Sequence, residues 1–452
     1  MQLSPKGPIV DLKRGDRLEA GALAVRIAGR ARDLAAAGVA DRSTVLIAHG
    51  GSIGFFVDLF AVWSLKACAA CVNPDVTPGE LRNLAAFTEP AAILYADGSV
   101  EPCGNPQPIA DHGDAALILF TSGTTGDPKG VVHTVTSLSE RIALNRRFIA
   151  PETLARTLCI LPTHFGHGLI GNCLTPLAAG GDLFLMQDAP LKVAGGLGVI
   201  VADHAISFMS SVPSFWKLAL KASKPPHRQT LRQVSVGSAP VAADLVRRIA
   251  DWSGTDDVRN MYGITETANW IAGGSLKDRP PEDGLIGPMW GGEAAVRGED
   301  GSLAATGSGE IVVRTPSLMA GYLKRPDLTS EAIVDGWYRT GDTGTVDETG
   351  VIRLAGRIKT EINRGGMKVA PEEIDLLLER HPDVTEACAF GQPDPVAGEV
   401  VAVAVRRRDG STADAAALRA WCRERIRREC VPECWYFLPE IPKTDRGKLN
   451  RA

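Results

Sequence analysis

Apolar residues recur at helical spacing through residues 16–37, where Leu18, Leu23, Val25, Ile27, Ala31, Leu34 and Ala37 are separated by Arg and Asp. This spacing predicts an amphipathic helix, with Gly38 as a stop signal just beyond it. A short apolar run, Thr44–Ala48, then breaks at Gly50-Gly51 and reads as a buried strand. Residues 53–68 predict a second helix and Ala92–Tyr95 a further strand. More apolar runs follow at Ala115–Thr121, from Leu158, and at Asp182–Met186, Ser207–Ser210 and Val234–Gly237. Strands alternating with helices predict a largely parallel α/β sheet.

Two changes of pattern divide the chain. Residues 285–355 are glycine-rich, with short alternating strands such as Glu310–Arg314 and Val351–Leu354, which reads as antiparallel β structure. Beyond Gly356 the pattern becomes helix (Glu372–Arg380), strands (Val384–Gly391 and Val400–Arg406) and a basic amphipathic helix (Ala415–Arg428). A boundary near 356–360 is expected, leaving a small α+β domain at the C-terminal end.

The composition narrows the classes of function. The chain has 452 residues, with 49 Lys and Arg against 53 Asp and Glu, a net charge of −4. Apolar residues make up 44% and charged residues 23%, the usage of a folded globular protein rather than a disordered chain. The slight acidity argues against nucleic acid as a partner. Cys68 with Cys71 and Cys430 with Cys434 are the only close pairs among nine cysteines, and they do not make a zinc-binding pattern. Scattered, odd-numbered thiols suit a reducing compartment. The residues after Met1 lack the apolar run of a leader, and the stretch 53–70 is interrupted by Asp58 and Lys66. No membrane span is therefore expected, and a cytoplasmic location is.

The strongest local signal is the run Thr121-Ser122-Gly123-Thr124-Thr125-Gly126-Asp127-Pro128-Lys129-Gly130, directly after an apolar strand. Glycines permit close backbone approach to an anion, and hydroxyls, N–H groups and Lys129 complete a phosphate cradle. It is not a Walker A loop, because Gly130 follows the lysine. An isolated GTTG reads equally well as a turn; the complete ten-residue run is far more specific.

Further motifs stand in order along the chain: Asn260–Thr267 (NMYGITET), Glu310–Tyr322 with Pro326 and Thr329, Gly336–Asp342 (GWYRTGD), Gly356–Lys359 with Asn363–Lys368, and Pro442–Arg451. Together with 121–130 they resemble the adenylate-forming enzymes, the superfamily of acyl-CoA synthetases, stand-alone adenylation domains and luciferases. The resemblance covers nearly the whole chain. It implies an α/β fold with a large multi-lobed N-terminal adenylation domain, residues 1–356, built of two α/β sheets and a small β-barrel-like lobe. A small mobile α+β domain, residues 357–452, would carry the catalytic lysine.

The implied chemistry is attack of a carboxylate on the α-phosphate of ATP, which needs two anions brought together and the departing pyrophosphate neutralised. By resemblance, Thr121, Ser122, Gly123, Thr124, Thr125, Gly126 and Lys129 hold the β- and γ-phosphates. Thr265 is the α-phosphate ligand, and Glu266 is the Mg²⁺ ligand, a hard oxygen donor for a hard cation. Tyr262 would stack on adenine, with Gly237-Ser238-Ala239-Pro240 lining the base and Asn260, Met261 and Gly263 completing the motif. Asp342 would accept from both ribose hydroxyls, and Arg357 would lie near ribose and phosphate. Lys448 would bridge the carboxylate and the α-phosphate. Taken singly, a Tyr beside Gly, an Asp after Thr-Gly and a lysine near a chain end are more often structural or solvated.

The remaining expectations concern the acid and the acceptor. Leu161–Gly168 (LPTHFGHG) resembles the family's acyl-pocket motif, with Phe165 as gate and His167 matching a second histidine of some acyl-CoA synthetases. Gly166 falls where amino-acid-activating members carry Asp, so an α-amino acid would bury its ammonium unpaired and is not the expected substrate. Phe165, Trp216 and Trp270 are candidate walls for an aryl or medium-sized apolar acid. Lys359 is the expected hinge, and Gly365-Gly366 the expected channel for a pantetheine arm, either CoA or a separate acyl carrier protein. Only four residues follow Lys448, so no carrier domain is expected beyond it. Two alternatives stay open: transfer of the adenylate to a nitrogen nucleophile, and a catalytically silent nucleotide-binding protein. Homodimer formation is left open as well.

Overall fold

The computed structural model describes residues 4–104, 106–109, 112–122, 128–364, 367–394, 398–444 and 449–451. Two mixed sheets form its larger part. The eight-stranded sheet runs, edge to edge, Trp270–Ser275, Val258–Gly263, Gln233–Gly237, Phe208–Ser211, Arg156–Cys159, Asp182–Leu185, Ile9–Asp11 and Asp16–Leu18. Only its outermost pair at each end is antiparallel. The first seven-stranded sheet runs Gly321–Tyr322, Pro128–Thr134, Ala115–Ser122, Cys68–Cys71, Thr44–Ile47, Ala92–Leu94 and Val100–Pro102, with a parallel centre. Thr44–Ile47 and Cys68–Cys71 are buried along their whole length, as strands covered on both faces must be. One apolar cluster draws on both sheets, and the helix Ile53–Ser64 lies within it.

Three elements differ from the sequence reading. The first helix spans Ala20–Ala36, and residues 16–18 form a strand paired with Ile9–Asp11. The second helix stops at Ser64 rather than running to 68. Lys66 turns through a left-handed conformation (φ 58°), and the chain returns as the strand Cys68–Cys71. Because the apolar run continues through both, periodicity could not separate them. The basic helix ends at Arg423, with a 3₁₀ turn at Arg428–Cys430. Cys68 and Cys71 are buried structural thiols, and burial pushes both well above the ordinary thiol range.

A second, antiparallel seven-stranded sheet contains Leu285–Gly287, Ile352–Arg357, Trp337–Val346, Gly307–Arg314, Glu293–Arg297 and Leu303–Ala304, with Ile333–Val334 paired to Trp337–Val346. A smaller five-stranded sheet lies wholly beyond it: Met367–Val369, Ile362–Arg364, Gly398–Arg407, Val384–Asp394 and Cys434–Phe437. Its core is filled by Ile374, Leu377, Leu378, Val403 and Leu418 among others. The helix Pro371–Glu379 connects this smaller domain to the larger one through an ion pair between Lys217 and Glu379 (2.6 Å) and another between Arg380 and Asp283. None of the described helices is long and apolar enough to cross a membrane.

Candidate active site

Parallel strands end together, and their carboxyl ends leave a crevice where loops from several strands meet. The strand Ala115–Ser122 leads into the glycine-rich run and returns as Pro128–Thr134, with Thr121 opposite Lys129. Gly123, Thr124, Thr125 and Gly126 lie outside the described residues. In the eight-stranded sheet, Gln233–Gly237 ends in Ser238, whose backbone is left-handed (φ 69°). A Cβ on Gly237 would sit 2.6 Å from the Met261 carbonyl oxygen, so the glycine is needed for the close approach of the two strands. Ala239 and Pro240 follow in the same loop.

On the antiparallel seven-stranded sheet, Asp342 collects partners. It is buried near the middle of Trp337–Val346. The Tyr262 hydroxyl donates to its Oδ2 (2.6 Å), and the Arg357 Nε donates to its Oδ1 (2.5 Å). A carboxylate offers about four acceptor positions, so two remain for hydroxyls of a ligand. Burial, reinforced by the Asp342 charge, raises Tyr262 far above the usual phenol range and keeps it a donor. Burial opposes the charge on Arg357, but Asp342 outweighs it and holds the guanidinium protonated. Asn260 turns its amide to the Leu285 carbonyl (2.8 Å), and Met261 is buried beneath the strand. A Cβ on Gly263 would lie 2.2 Å from the Asn269 carbonyl oxygen.

Thr265 and Glu266 stand on a 3₁₀ turn, Thr265–Thr267. His133 donates from Nε2 to the Thr265 carbonyl (2.8 Å), and Met319 N–H donates to the Glu266 carbonyl (2.7 Å). Burial drives His133 down to about 4, partly countered by that carbonyl, so the ring is neutral near pH 7. The Tyr322 hydroxyl donates to Glu266 Oε1 (2.8 Å) and lies 3.2 Å from the Tyr338 hydroxyl. Lys129 Nζ is 5.4 Å from the Tyr322 ring centre.

His167 meets both Ser238 and Trp270, Gly166 lies against Ala268, and the Phe165 ring packs on His164. His167 Nδ1 pairs with Ser238 Oγ (2.8 Å), its Nε2 pairs with Ser210 Oγ (2.6 Å), and its ring meets the edge of Trp270 at 5.4 Å. The wider π-helical turn His167–Leu174 begins here, an irregularity often found at functional sites. A Cβ on Gly166 would fall 2.6 Å from the Ala268 carbonyl oxygen, and one on Gly171 2.8 Å from Trp270. Arg141, fully buried, donates to the carbonyls of Trp270 and Trp290, and burial pushes it down to about 9. Trp216, expected as a wall, instead packs against Trp252 at 5.5 Å in the core beside the eight-stranded sheet, because its helix turns its apolar face there.

The sequence profile of AMP-binding enzymes matches residues 97–323, and that of the AMP-binding enzyme C-terminal domain matches residues 373–448. A sulfoacetate–CoA ligase from Cupriavidus necator is 36% identical over 80% of this chain and 70% of its own length. A probable CoA ligase, CCL9 from Humulus lupulus, is 30% identical over 92% of this chain and 87% of its own. The chain belongs to the AMP-binding enzymes. ATP-bound MatB from Rhodopseudomonas palustris superposes with a TM-score of 0.85 at 25% identity, covering 98% of this chain and 94% of that one. This AMP-binding enzyme is an AMP-forming acid–thiol ligase of the adenylate-forming superfamily.

The small domain of this AMP-binding enzyme carries the other expected residues. Lys359 lies in the 3₁₀ turn Ile358–Thr360, where the Thr360 hydroxyl reaches Glu372 (3.2 Å). Arg364 donates to the Glu429 carbonyl (2.8 Å) and pairs with Glu433, inside the domain. Gly365, Gly366 and Lys448 lie outside the described residues. Lys443 forms a bridge with Leu449, and Asn450 N–H donates to the Pro442 carbonyl (2.9 Å). Arg451 then pairs with buried Asp375 (2.6 Å). Burial lifts Asp375 to about 7 against the pull of Arg451.

Sequence reasoning gave no role to Glu310, Tyr322, Tyr338, His133 or Arg451. Glu310 accepts from Gly341 N–H and Arg339 (both 3.3 Å) and so holds the strand backbone just before Asp342. Four of the five, all but His133, lie inside the quoted motif segments. Their presence there was the available signal, but their partners are distant in sequence.

Proposed function

We propose that the enzyme joins a carboxylic acid to ATP as an acyl-adenylate, releases pyrophosphate, and passes the acyl group to the thiol of CoA. The observation that carries this reading is the meeting of Tyr262 and Arg357 on Asp342, with the Glu266 charge near enough to act on Arg357, beside the contact of Tyr322 with both Glu266 and Lys129. Asp342 would bind the ribose hydroxyls with its remaining acceptor capacity. Thr265 and the glycine-rich run would hold the phosphates, with Lys129 neutralising charge. Lys448 would bring an ammonium to the acid and the α-phosphate, where a flexible point charge suffices. The small domain would turn about Lys359 between steps, which would break the partly buried Lys217–Glu379 ion pair.

Magnesium fits the residues present. Among the described residues no cluster of three His, Cys, Asp or Glu side chains surrounds a cation position. Mg²⁺ usually takes one or two carboxylates together with substrate phosphates, and Glu266 supplies such a carboxylate. Bound there, the ion would neutralise the departing pyrophosphate.

For the acid, Phe165 and Trp270, read as walls of the acyl pocket, would favour an aryl or medium apolar body. Gly166 supports exclusion of α-amino acids, since its position has no room even for a methyl group beside the Ala268 carbonyl. The test is AMP release with a panel of acids (aryl, aliphatic, sulfoacetate and amino acids), with and without CoA, followed by product mass spectrometry. Acid-dependent AMP and an acyl-CoA are expected. No acid-dependent AMP would sink the reading, a carrier-bound thioester would change the acceptor, and an amide would replace the thiol with nitrogen. Lys448→Ala should abolish adenylate formation yet leave thioester formation from a supplied adenylate.

A further inference from the structure

Tyr322 stands on the short strand Gly321–Tyr322, paired antiparallel with Val131 and Val132 just after Lys129. Thr329 fixes this mount: its hydroxyl accepts from Tyr322 N–H (2.9 Å) and donates to the Arg325 carbonyl (2.9 Å) in the helix Pro326–Ala332. This explains why Gly-Tyr, Pro and Thr occur together over 321–329. From there one side chain touches two groups assigned above to the triphosphate, with its hydroxyl on Glu266 and its ring under the Lys129 ammonium. Tyr338 approaches the same hydroxyl from the strand that carries Asp342.

We propose that Tyr322 is a positioning residue for the metal–triphosphate. Its hydroxyl fixes one oxygen of Glu266 and leaves acceptor capacity on the carboxylate for the cation. Its ring steadies Lys129 through a cation–π contact. Tyr338 orients the Tyr322 hydroxyl. The inference rests on the assignment of Glu266 to the metal.

Tyr322→Phe keeps the ring, its packing and the contact with Lys129, and deletes only the hydroxyl. Calorimetry without acid, so that no turnover occurs, should show about tenfold weaker binding of Mg·ATP, the scale on which groups behind a metal ligand act. AMP, which lacks the metal-bound phosphates, should bind as before. Tyr338→Phe should give a smaller loss with the same selectivity. Unchanged Mg·ATP affinity in Tyr322→Phe overturns the inference, and so does an equal loss for AMP, which a packing defect would produce. Glu266→Gln separates the two layers. If it leaves Mg·ATP binding intact, the metal assignment falls and the inference with it. If Glu266→Gln weakens binding while Tyr322→Phe does not, only the inference falls.

Discussion

The two ends of the candidate site are made differently. Around Asp342 and Glu266 the arrangement is one of charges and hydroxyls: two tyrosines donate to carboxylates, and an arginine is paired to one of them. Around Gly166 and Trp270 it is one of shape, set by glycines that let backbone approach backbone and by a widened helical turn. Charge-based parts tolerate backbone adjustment but not loss of a partner, because an unpaired buried group is costly. Shape-based parts fail in the opposite way, when an atom is added. Mutations can therefore tell the two ends apart.

The largest expected effect is at Asp342. Asp342→Ala strips a buried acceptor from Tyr262 and Arg357 and from the proposed ribose contact. Hydrogen bonds to charged groups contribute about 1.5–3 kcal/mol each, so kcat/KM for ATP should fall about a thousandfold, about 4 kcal/mol. The KM for the acid should hardly move. A loss shared equally by both substrates would erase the distinction between the ends.

The small domain repeats the charge-based mode at Arg451. Arg451→Leu removes the cation beside Asp375, which burial then keeps protonated near pH 7, and deletes the hydrogen bond to the Ala389 carbonyl, a loss of about 2–3 kcal/mol. Urea unfolding should show that loss, accompanied by slower adenylation, because Arg451 ties the chain end to the core of the small domain. Wild-type stability in the variant would mean that the anchor is supplied elsewhere.

Gly166→Ala probes the other end. The added Cβ meets a backbone oxygen at 2.6 Å, and the neighbouring Ala268 is already in a left-handed conformation (φ 69°), so the wall must shift. About thirtyfold in acid KM is expected, about 2 kcal/mol, within the range for one methyl group in a pocket. ATP affinity measured without acid should be unchanged. A fall in ATP affinity instead would place Gly166 on the nucleotide side.

This difference also explains what could be read from the sequence. The structure brings Tyr262 and Arg357 onto Asp342, with Glu266 near Arg357, residues that ordered motifs single out by type. The parallel sheets were legible from apolar runs, except where Ile53–Ser64 and Cys68–Cys71 share one continuous run. The acyl end was only partly legible: Gly166 was informative as a missing carboxylate, but its contact with Ala268 depends on chain segments about a hundred residues apart. Trp216 was misleading, because a tryptophan at a helix's apolar face has the same sequence signature whether it faces a pocket or a core. Tyr322 and His133 were invisible in role for the same reason, since each acts on the Thr265–Glu266 turn from a strand or loop remote in sequence.

The smallest effect concerns His133, which belongs to the charged end yet works as a neutral ring. Its folded value of about 4 lies below the ordinary 6.5, so between those values the unfolded chain binds more protons than the fold. Stability then rises with pH through that window and is lost as pH falls from about 6.5 towards 4. Between pH 7 and pH 5 the loss from this residue alone should be about 2 kcal/mol. His133→Gln keeps a side-chain donor for the Thr265 carbonyl and removes the titration. Urea unfolding of both proteins from pH 7 to pH 5 should therefore give a shallower acid slope for the variant, whatever the offset at pH 7. Parallel slopes would mean that the ring accepts a proton within the fold, and the Thr265–Glu266 turn would then rest on a cation rather than a neutral donor.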